Sequence, residues 1–501
     1  MSDLIIGWQV TPNLEPRYWL GKNTKAGAQP ETDLFTISSG GLGSHTAIIA
    51  QSGSGKSFFL GRLIEEIGLR TKARCLILDP NADFRKLHEV EDEQLWAGAT
   101  YDLGLRAGKL THEPGREAFA SSWSNVSIVV HVGTTPDSQP YEQIRLSWPA
   151  VSTDFLGEDL GPVQRSELYH CHSFVKNVHA LLAVKVGAEK RIDYLLKAES
   201  LLGQAMANPS DFTRTMREEF GSEIVQGMPS EDVFIPGLDL TEITKSSIRR
   251  FRDQRLGQAA AAARYVSEDV RRFYFGRVNE FRSAQIIENF VGKGATTKGR
   301  NPRIEVVDLP SLPSPATRLL AMNAIIATEW DRARTAWSAA LTKPVTADKR
   351  VPTFLIVDEA HNVVPFETRS KAEHALREQF RTIVAEGRKY GLFLILVSQR
   401  PEKLDPLVVS ECENRAVMKL SSASALESTR RMLSLEDVPA NVLSKCLDMP
   451  IGRVLISGPW SPHGPDFLYS AARRTVEGGR NLRASYWGME PSQAPAPKDV
   501  E

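Results

Sequence analysis

The chain has 501 residues, enough for two or three domain-sized units. Its 42% apolar and 24% charged content is that of a globular protein rather than a disordered or fibrous one. With 61 basic against 61 acidic residues the net charge is zero, so any nucleic-acid site must come from local placement of charge. The four cysteines, Cys75, Cys171, Cys412 and Cys446, lie far apart without paired spacing. The start carries no leader pattern and no run approaches the ~18 apolar residues of a spanning helix, so the expectation is a soluble, cytoplasmic protein with reduced thiols and no membrane anchor.

Residues 1–33 read as a short β segment, with Leu4 to Val10 as its clearest piece, too little for a full small barrel. From 34 to 160 the pattern is that of the first part of a nucleotide-binding core. Thr46 to Ala50 is a buried strand, and Phe58, Leu60, Leu63, Ile64 and Ile67 mark an amphipathic helix beyond it. Between them lies Ala50-Gln51-Ser52-Gly53-Ser54-Gly55-Lys56-Ser57, the spacing of a phosphate-binding loop. The backbone N–H groups of Ser52, Gly53, Ser54 and Gly55 would close around phosphate oxygens, helped by the positive end of the helix. Lys56 would reach the β- and γ-phosphates, and the Ser57 hydroxyl would ligate Mg²⁺. The competing reading is a Gly/Ser-rich turn before an unrelated helix. Ala50 stands where the usual first glycine would be, which is tolerable if its backbone angles are ordinary. A second strand, Ala73 to Asp79, ends in Asp79-Pro80-Asn81-Ala82-Asp83-Phe84; the two aspartates either face a ligand at the strand end or shape the turn. Val126 to Val132 reads as another strand.

Residues 161–300 change texture to long helical patterns, Ile192 to Met206, Asp211 to Ile224 and a stretch from Thr244 to Phe290, and read as a helical insertion. The last stretch is rich in arginine, including Arg249, Arg250, Arg264, Arg271 and Arg272, which suits either a phosphate backbone or a solvated helix face with pairs such as Glu268–Arg272. His170-Cys171-His172 has no second pair at zinc-site spacing, so a metal is not expected there.

The core resumes over 301–486 with Arg303 to Leu309 and a helix over Ala316 to Ala340. Thr353 to Val357 forms a buried strand ending in Asp358 and Glu359. In such a pair the first carboxylate holds Mg²⁺ through water and the second orients or activates the attacking water; together with the phosphate loop this points to ATP hydrolysis. A helix over Lys371 to Gly387 follows, and its 3.6-residue period places Arg377, Arg381 and Arg388 within roughly 40° of one another beside the apolar side. Such a stripe suits a subunit interface, with an arginine supplied to a neighbour's γ-phosphate, or else local salt bridges with Glu373, Glu378 or Glu386. Leu392 to Ser398 is a third buried strand, and Gln399 at its end is either a γ-phosphate sensor or a turn residue. Residues 487–501 read as a disordered tail.

The set of Ser44 to Ala50 leading into the loop, Leu78-Asp79-Pro80 with Asp83-Phe84, Asp358-Glu359-Ala360-His361, Glu386 to Gly391 and Ser398-Gln399-Arg400-Pro401 resembles the HerA branch of the HerA-FtsK ATPases. Glu413-Asn414-Arg415 and Arg473-Arg474-Thr475 with Gly478-Gly479 resemble it too. The resemblance covers about 34–90 and 303–480. It implies an α/β, RecA-like P-loop NTPase core with a central β-sheet flanked by helices, an inserted helical subdomain and a C-terminal brace. It further implies a homo-oligomeric, hexameric ring using ATP and Mg²⁺ to translocate or unwind double-stranded DNA. Arg388 takes the family's arginine-finger place, and members work with a nuclease or other effector, in DNA processing or antiphage defence. The family's N-terminal barrel is reduced or absent here, which removes the basis for carrying over its partner contacts. Two other readings stay open: an ATP-gated ring that scaffolds an effector, and a relative of type IV secretion and conjugation ATPases.

Overall fold

A computed structural model of the chain describes residues 4–10, 13–14, 34–92, 115–133, 140–144, 146–148, 151–157, 160–186, 194–219, 245–283, 287–288, 302–341, 344, 348, 350–461 and 463–478. The tail over 487–501 lies outside these residues.

Apolar, β-branched runs make the strands β1 (Leu4–Gln9), β2 (Leu34–Ile37), β3 (Thr46–Ile49), β4 (Arg74–Asp79), β5 (Ile128–Val132), β6 (Tyr141–Gln143), β7 (Leu146–Ser147), β8 (Ile287–Glu288), β9 (Ile304–Asp308), β10 (Thr353–Val357), β11 (Leu392–Ser398), β12 (Asn414–Val417), β13 (Arg453–Ser457) and β14 (Asp466–Ser470). Twelve of them form one sheet in the order β2-β1-β14-β13-β12-β3-β11-β10-β4-β9-β5-β6, while β7 and β8 pair separately. From β12 to β6 the neighbours run parallel, and β13, β14, β1 and β2 extend the sheet antiparallel. The central strands β3, β4 and β10 are buried at every residue, as a parallel sheet covered on both faces requires. The described residues thus form an α/β core built on one large, mostly parallel sheet, and β1 is part of that sheet rather than of a separate barrel.

The register decides where chemistry can happen. Ser398 pairs with Ile49, Val357 with both Leu396 and Leu78, and Asp79 with Asp308. The residues that follow these strands therefore gather at one edge, the carboxyl edge where open α/β sheets bind ligands.

The helices introduced here are α1 (Lys56–Arg70), α2 (Arg116–Trp123), α3 (Pro162–Val186), α4 (Tyr194–Ala207), α5 (Pro209–Glu219), α6 (Lys245–Ala263), α7 (Glu268–Ser283), α8 (Pro315–Leu341) and α9 (Lys371–Tyr390). Among the described residues, the stretch of helical pattern from Thr244 to Phe290 holds two helices, α6 and α7. It breaks at Arg264 to Ser267, where the Ser267 hydroxyl accepts from the Val270 N–H and Glu268 and Asp269 start a new first turn. Among its arginines, Arg271 and Arg272 pair with Glu268, and Arg252 with Asp253. His172 is buried and its Nδ1 lies 2.7 Å from the Tyr274 hydroxyl, which takes the indole N–H of Trp148 at 2.6 Å. No helix among the described residues is long and apolar enough to cross a membrane.

The last described residues clasp α1 from behind. Fully buried Glu65 accepts from the N–H groups of Arg474 and Thr475, both at 2.8 Å, and from the Thr475 hydroxyl at 2.9 Å. Arg473 lies so close across α1 that a Cβ on Gly61 would come within 2.4 Å of its side chain. Gly478 N–H then donates to the Asp83 carbonyl at 3.0 Å, and a Cβ there would strike the Ala82 carbonyl oxygen. Glu65→Ala strands these buried donors, and its unfolding free energy in urea is expected to fall by roughly 2–4 kcal/mol with the cooperativity of unfolding unchanged.

Candidate active site

The phosphate loop is slung between two strand ends. The Ala50 N–H donates to the Ser398 carbonyl at 3.1 Å, at the end of β11, and the Gln51 N–H to the Lys419 carbonyl at 3.0 Å, past the end of β12. Ser54 closes the turn, its hydroxyl donating to the Gln51 carbonyl at 2.6 Å. Gly53 and Gly55 adopt φ of +75° and +95°, a conformation that favours glycine. Ala50 is absent from the residues with positive φ, so the missing first glycine is of no consequence to the loop's shape.

Lys56 begins α1 and is buried. Its Nζ donates to Asp358 Oδ1 at 2.7 Å and to Glu359 Oε1 at 2.6 Å. Burial alone would depress this ammonium, but the two carboxylates outweigh it and hold its pKa above the usual value. For Asp358 burial wins, and its carboxyl sits above the usual range despite Lys56. Gln399, from the end of β11, donates to the same Glu359 oxygen. Glu359 takes φ 46° and ψ 48°, a left-handed conformation strained for a non-glycine residue, and it is fixed by its N–H bond to Asp358 Oδ1 at 2.9 Å. Lys56, Asp358, Glu359 and Gln399, predicted from separate parts of the sequence, therefore meet as one group.

The Ser57 hydroxyl donates to Asp83 Oδ2 at 2.7 Å. Asp79 instead accepts from the N–H groups of Asn81, Asp83 and Phe84 and so shapes the turn that presents Asp83. Burial, reinforced by Asp83 and Asp358, pushes the Asp79 carboxyl up to about 7. Asp358 Oδ2 is buried without a hydrogen-bond partner. Asp358 Oδ2, the Ser57 hydroxyl and Asp83 are oxygen donors, the chemistry that a hard divalent cation such as Mg²⁺ takes.

Three further residues carried no assigned role in the sequence. His361 Nδ1 lies 3.1 Å from the Ser398 hydroxyl and 3.4 Å from Glu359 Oε2, so it backs that carboxylate. Asp308, fully buried beside Asp79, pairs with Arg85 at 3.1 Å; the only signal for it was an apolar run ending in aspartate. His45 spans β3, β11 and α9: Nδ1 accepts from the Leu394 N–H at 2.9 Å and Nε2 donates to the Val384 carbonyl at 3.1 Å. Burial drives its pKa down to about 4, which keeps the ring neutral for both bonds.

The arginine stripe divides. Arg381 bonds Glu378 at 2.9 Å and fully buried Asp405 at 2.8 Å, and Arg377 bonds the Phe366 carbonyl at 2.6 Å with Asp405 at 3.4 Å. Both are committed to their own chain. Arg388 is half exposed and donates to Glu413 Oε1 at 2.5 Å, while Glu413 Oε2 takes the Ser44 hydroxyl at 2.7 Å. Arg388, Glu413 and Ser44 precede β11, β12 and β3, which run parallel, so the group sits at the amino edge of the sheet. Lys56 is a strand length away, roughly 20 Å at the rise of an extended chain.

Residues 33–118 match the family model described as the helicase HerA central domain. The chain is 33% identical over 108 residues to the probable helicase MJ1565 of Methanocaldococcus jannaschii, a match covering 22% of this chain and 20% of that one. It is 28% identical over 212 residues to the DNA double-strand break repair helicase HerA of Sulfolobus acidocaldarius, covering 42% and 38%. The chain thus spans a fifth to two fifths of these relatives' own length. Over the whole chain it aligns with VirB4 of Thermoanaerobacter pseudethanolicus at 13% identity and a TM-score of 0.36, covering 97% of this chain and 98% of that one. It aligns with the bacterial conjugative coupling protein TrwBdeltaN70 at 11% identity and a TM-score of 0.38, covering 96% of each. The resemblance to HerA-type ATPases drawn from the motifs is borne out by the first three of these matches.

Lys56→Ala leaves two buried carboxylates facing each other, and the nucleotide-free protein is expected to lose roughly 3–5 kcal/mol of stability. A carboxyl whose pKa is raised in the folded state is most compatible with folding while protonated. The loss is therefore greatest at alkaline pH and narrows as pH falls through the raised Asp358 value. Urea unfolding at about pH 5 and about pH 8 measures the difference.

Proposed function

We propose that this protein is an ATP-hydrolysing motor that assembles as a ring, in the hexameric manner of its resemblance, and drives double-stranded DNA through the centre in the cytoplasm, acting with a nuclease or other effector in DNA processing or antiphage defence. The observation that carries the reading is the convergence of Lys56, Asp358, Glu359 and Gln399 at the end of the phosphate loop. The HerA central-domain match over residues 33–118 supports the choice of DNA as the track.

In this reading Ser52, Gly53, Ser54 and Gly55 hold the phosphates with their backbone N–H groups, and Lys56 leaves the carboxylates for the β- and γ-phosphates. Ser57 and Asp358 would hold Mg²⁺, whose charge neutralises the phosphate oxygens in the transition state. Glu359, released from Lys56, takes the proton of the attacking water, and Gln399 contacts the γ-phosphate and reports its loss. Arg388 cannot reach its own chain's Lys56 across the sheet, so it acts on a neighbour's γ-phosphate, which makes the ring the catalytic unit. The helices between 161 and 300 form an inserted subdomain, and 301–486 completes the core with its brace.

Glu359→Gln is expected to retain ATP binding and to lower turnover at least ~100-fold. Arg388→Ala should lower it about 1,000-fold. Mixing Arg388→Ala with Lys56→Ala subunits should restore activity at interfaces that combine an intact loop with an intact arginine; no recovery in rings verified by sedimentation would refute the shared site. Wild-type hydrolysis should rise with added duplex and with duplex length. A rate indifferent to DNA would sink the motor reading and favour an ATP-gated scaffold.

A further inference from the structure

Beside the phosphate loop stands an apolar side chain that the hydrolytic chemistry does not use. The turn Pro450-Ile451-Gly452, which leads into β13, is fastened to the loop: the Gly452 N–H donates to the Ser54 carbonyl at 3.1 Å. A Cβ on Gly55 would lie 3.6 Å from the Gly452 backbone and 3.7 Å from Ile451 Cγ2. On its other side the turn is closed by Tyr469, whose ring is 3.0 Å from where a Gly452 Cβ would be, and φ at Gly452 is +79°. Arg453 packs over the Tyr469 ring at 4.2 Å and donates to the Ile451 carbonyl at 3.2 Å. The Ile451 backbone is thus fixed from both sides, yet the residue is 62% exposed. Fixing an apolar side chain in solvent this close to a polar loop calls for something apolar to cover it.

The sheet says what that is. The γ-phosphate end of a bound nucleotide is set by Asp358, Glu359 and Gln399, which follow β10 and β11 on one side of β3. The opposite side of β3 is occupied by β12 and then β13, and Ile451 stands at the start of β13, on the carboxyl edge because β13 runs antiparallel to β12. A triphosphate anchored at its γ end on the first side carries its nucleoside toward the second. The exposed apolar surface there matches the flat apolar face of a nucleobase, which gains from leaving water against a side chain that is already ordered.

We infer that Ile451 forms one wall of the nucleobase subsite, covering the face of the base while the loop holds the phosphates. The inference rests on the nucleotide-binding reading of the loop, and inorganic tripolyphosphate separates the two because it carries the phosphates without the base. Titration calorimetry on the full chain with Mg²⁺–ATP and with Mg²⁺–tripolyphosphate, for wild type, Ile451→Asn and Ile451→Leu, reads both. Because Ile451 contributes little to the core, all three proteins should fold alike, which circular dichroism verifies. The expected result is about a tenfold weaker Kd for ATP in Ile451→Asn, an unchanged Kd for tripolyphosphate, and near-wild-type values for both in Ile451→Leu. Equal ATP affinity in wild type and Ile451→Asn overturns the subsite. So does a parallel loss for ATP and tripolyphosphate, which would make Ile451 a support of the loop. A wild-type protein that binds neither ligand overturns the nucleotide-binding reading itself.

Discussion

The Lys56 ammonium, held between Asp358 and Glu359, is the contact on which the rest of the site depends. Two carboxylates on consecutive residues at a buried strand end repel each other strongly, and without a cation one would stay protonated. Lys56 supplies that cation from a different strand–helix unit, and the sheet brings the two together only because β11 lies between β3 and β10 in register. Gln399 reaches Glu359 for the same reason. In this arrangement the lysine that would bind phosphate is already satisfied, and so is the glutamate that would activate water. Under the proposed function a phosphate displaces the carboxylates from Lys56 and in doing so frees Glu359. Binding and activation are then one exchange of partners, and the left-handed backbone at Glu359 fixes where that carboxylate points after it is released.

The exchange needs a rigid support, and the far end of the chain provides it. Glu65 lies on the inner face of α1, two turns beyond the loop, and its carboxylate is consumed by backbone N–H groups of 474 and 475. The same segment bonds to the turn that presents Asp83 to Ser57. Helix and turn are thereby tied through residues more than 390 positions away in sequence. Burial holds the Glu65 carboxyl above its ordinary range in spite of Arg62 and the backbone donors, so this tie is a desolvated one with little tolerance for loss of a partner.

Contiguity explains what was legible beforehand. The phosphate loop, Asp358-Glu359 and Gln399 each sit directly after an apolar run, so a strand and its chemistry are read in one window. Asp83 was visible only as one of two candidate aspartates; that it meets Ser57, while Asp79 is spent on its own turn, depends on a bend in three dimensions. The break at Ser267 was hidden because the residues around it keep helical composition, and one hydroxyl cap decides it. Asp405 was missed because it follows a turn rather than a strand, yet it takes both Arg377 and Arg381 out of the arginine stripe. β1 could be placed as a strand but not in the sheet, because its partners β2 and β14 lie at opposite ends of the core in sequence.

Arg388 shows how a contact within one chain bears on an assembly. Its pairing with Glu413 has both side chains about half exposed, and exposed ion pairs contribute only about 0–1 kcal/mol. A phosphoryl group in a desolvated interface offers the same guanidinium a charge-assisted, two-pronged partner of much greater strength. In the proposed ring the Glu413 contact would therefore orient Arg388 without opposing its transfer to a neighbour's phosphate. The opposite holds for Arg381, whose partner Asp405 is fully buried and would be left as an unpaired charge if the arginine swung away. Of two arginines on one helix edge, the one tied weakly at the amino edge of the sheet is the one the proposed ring can use, and the one tied to a buried carboxylate is not.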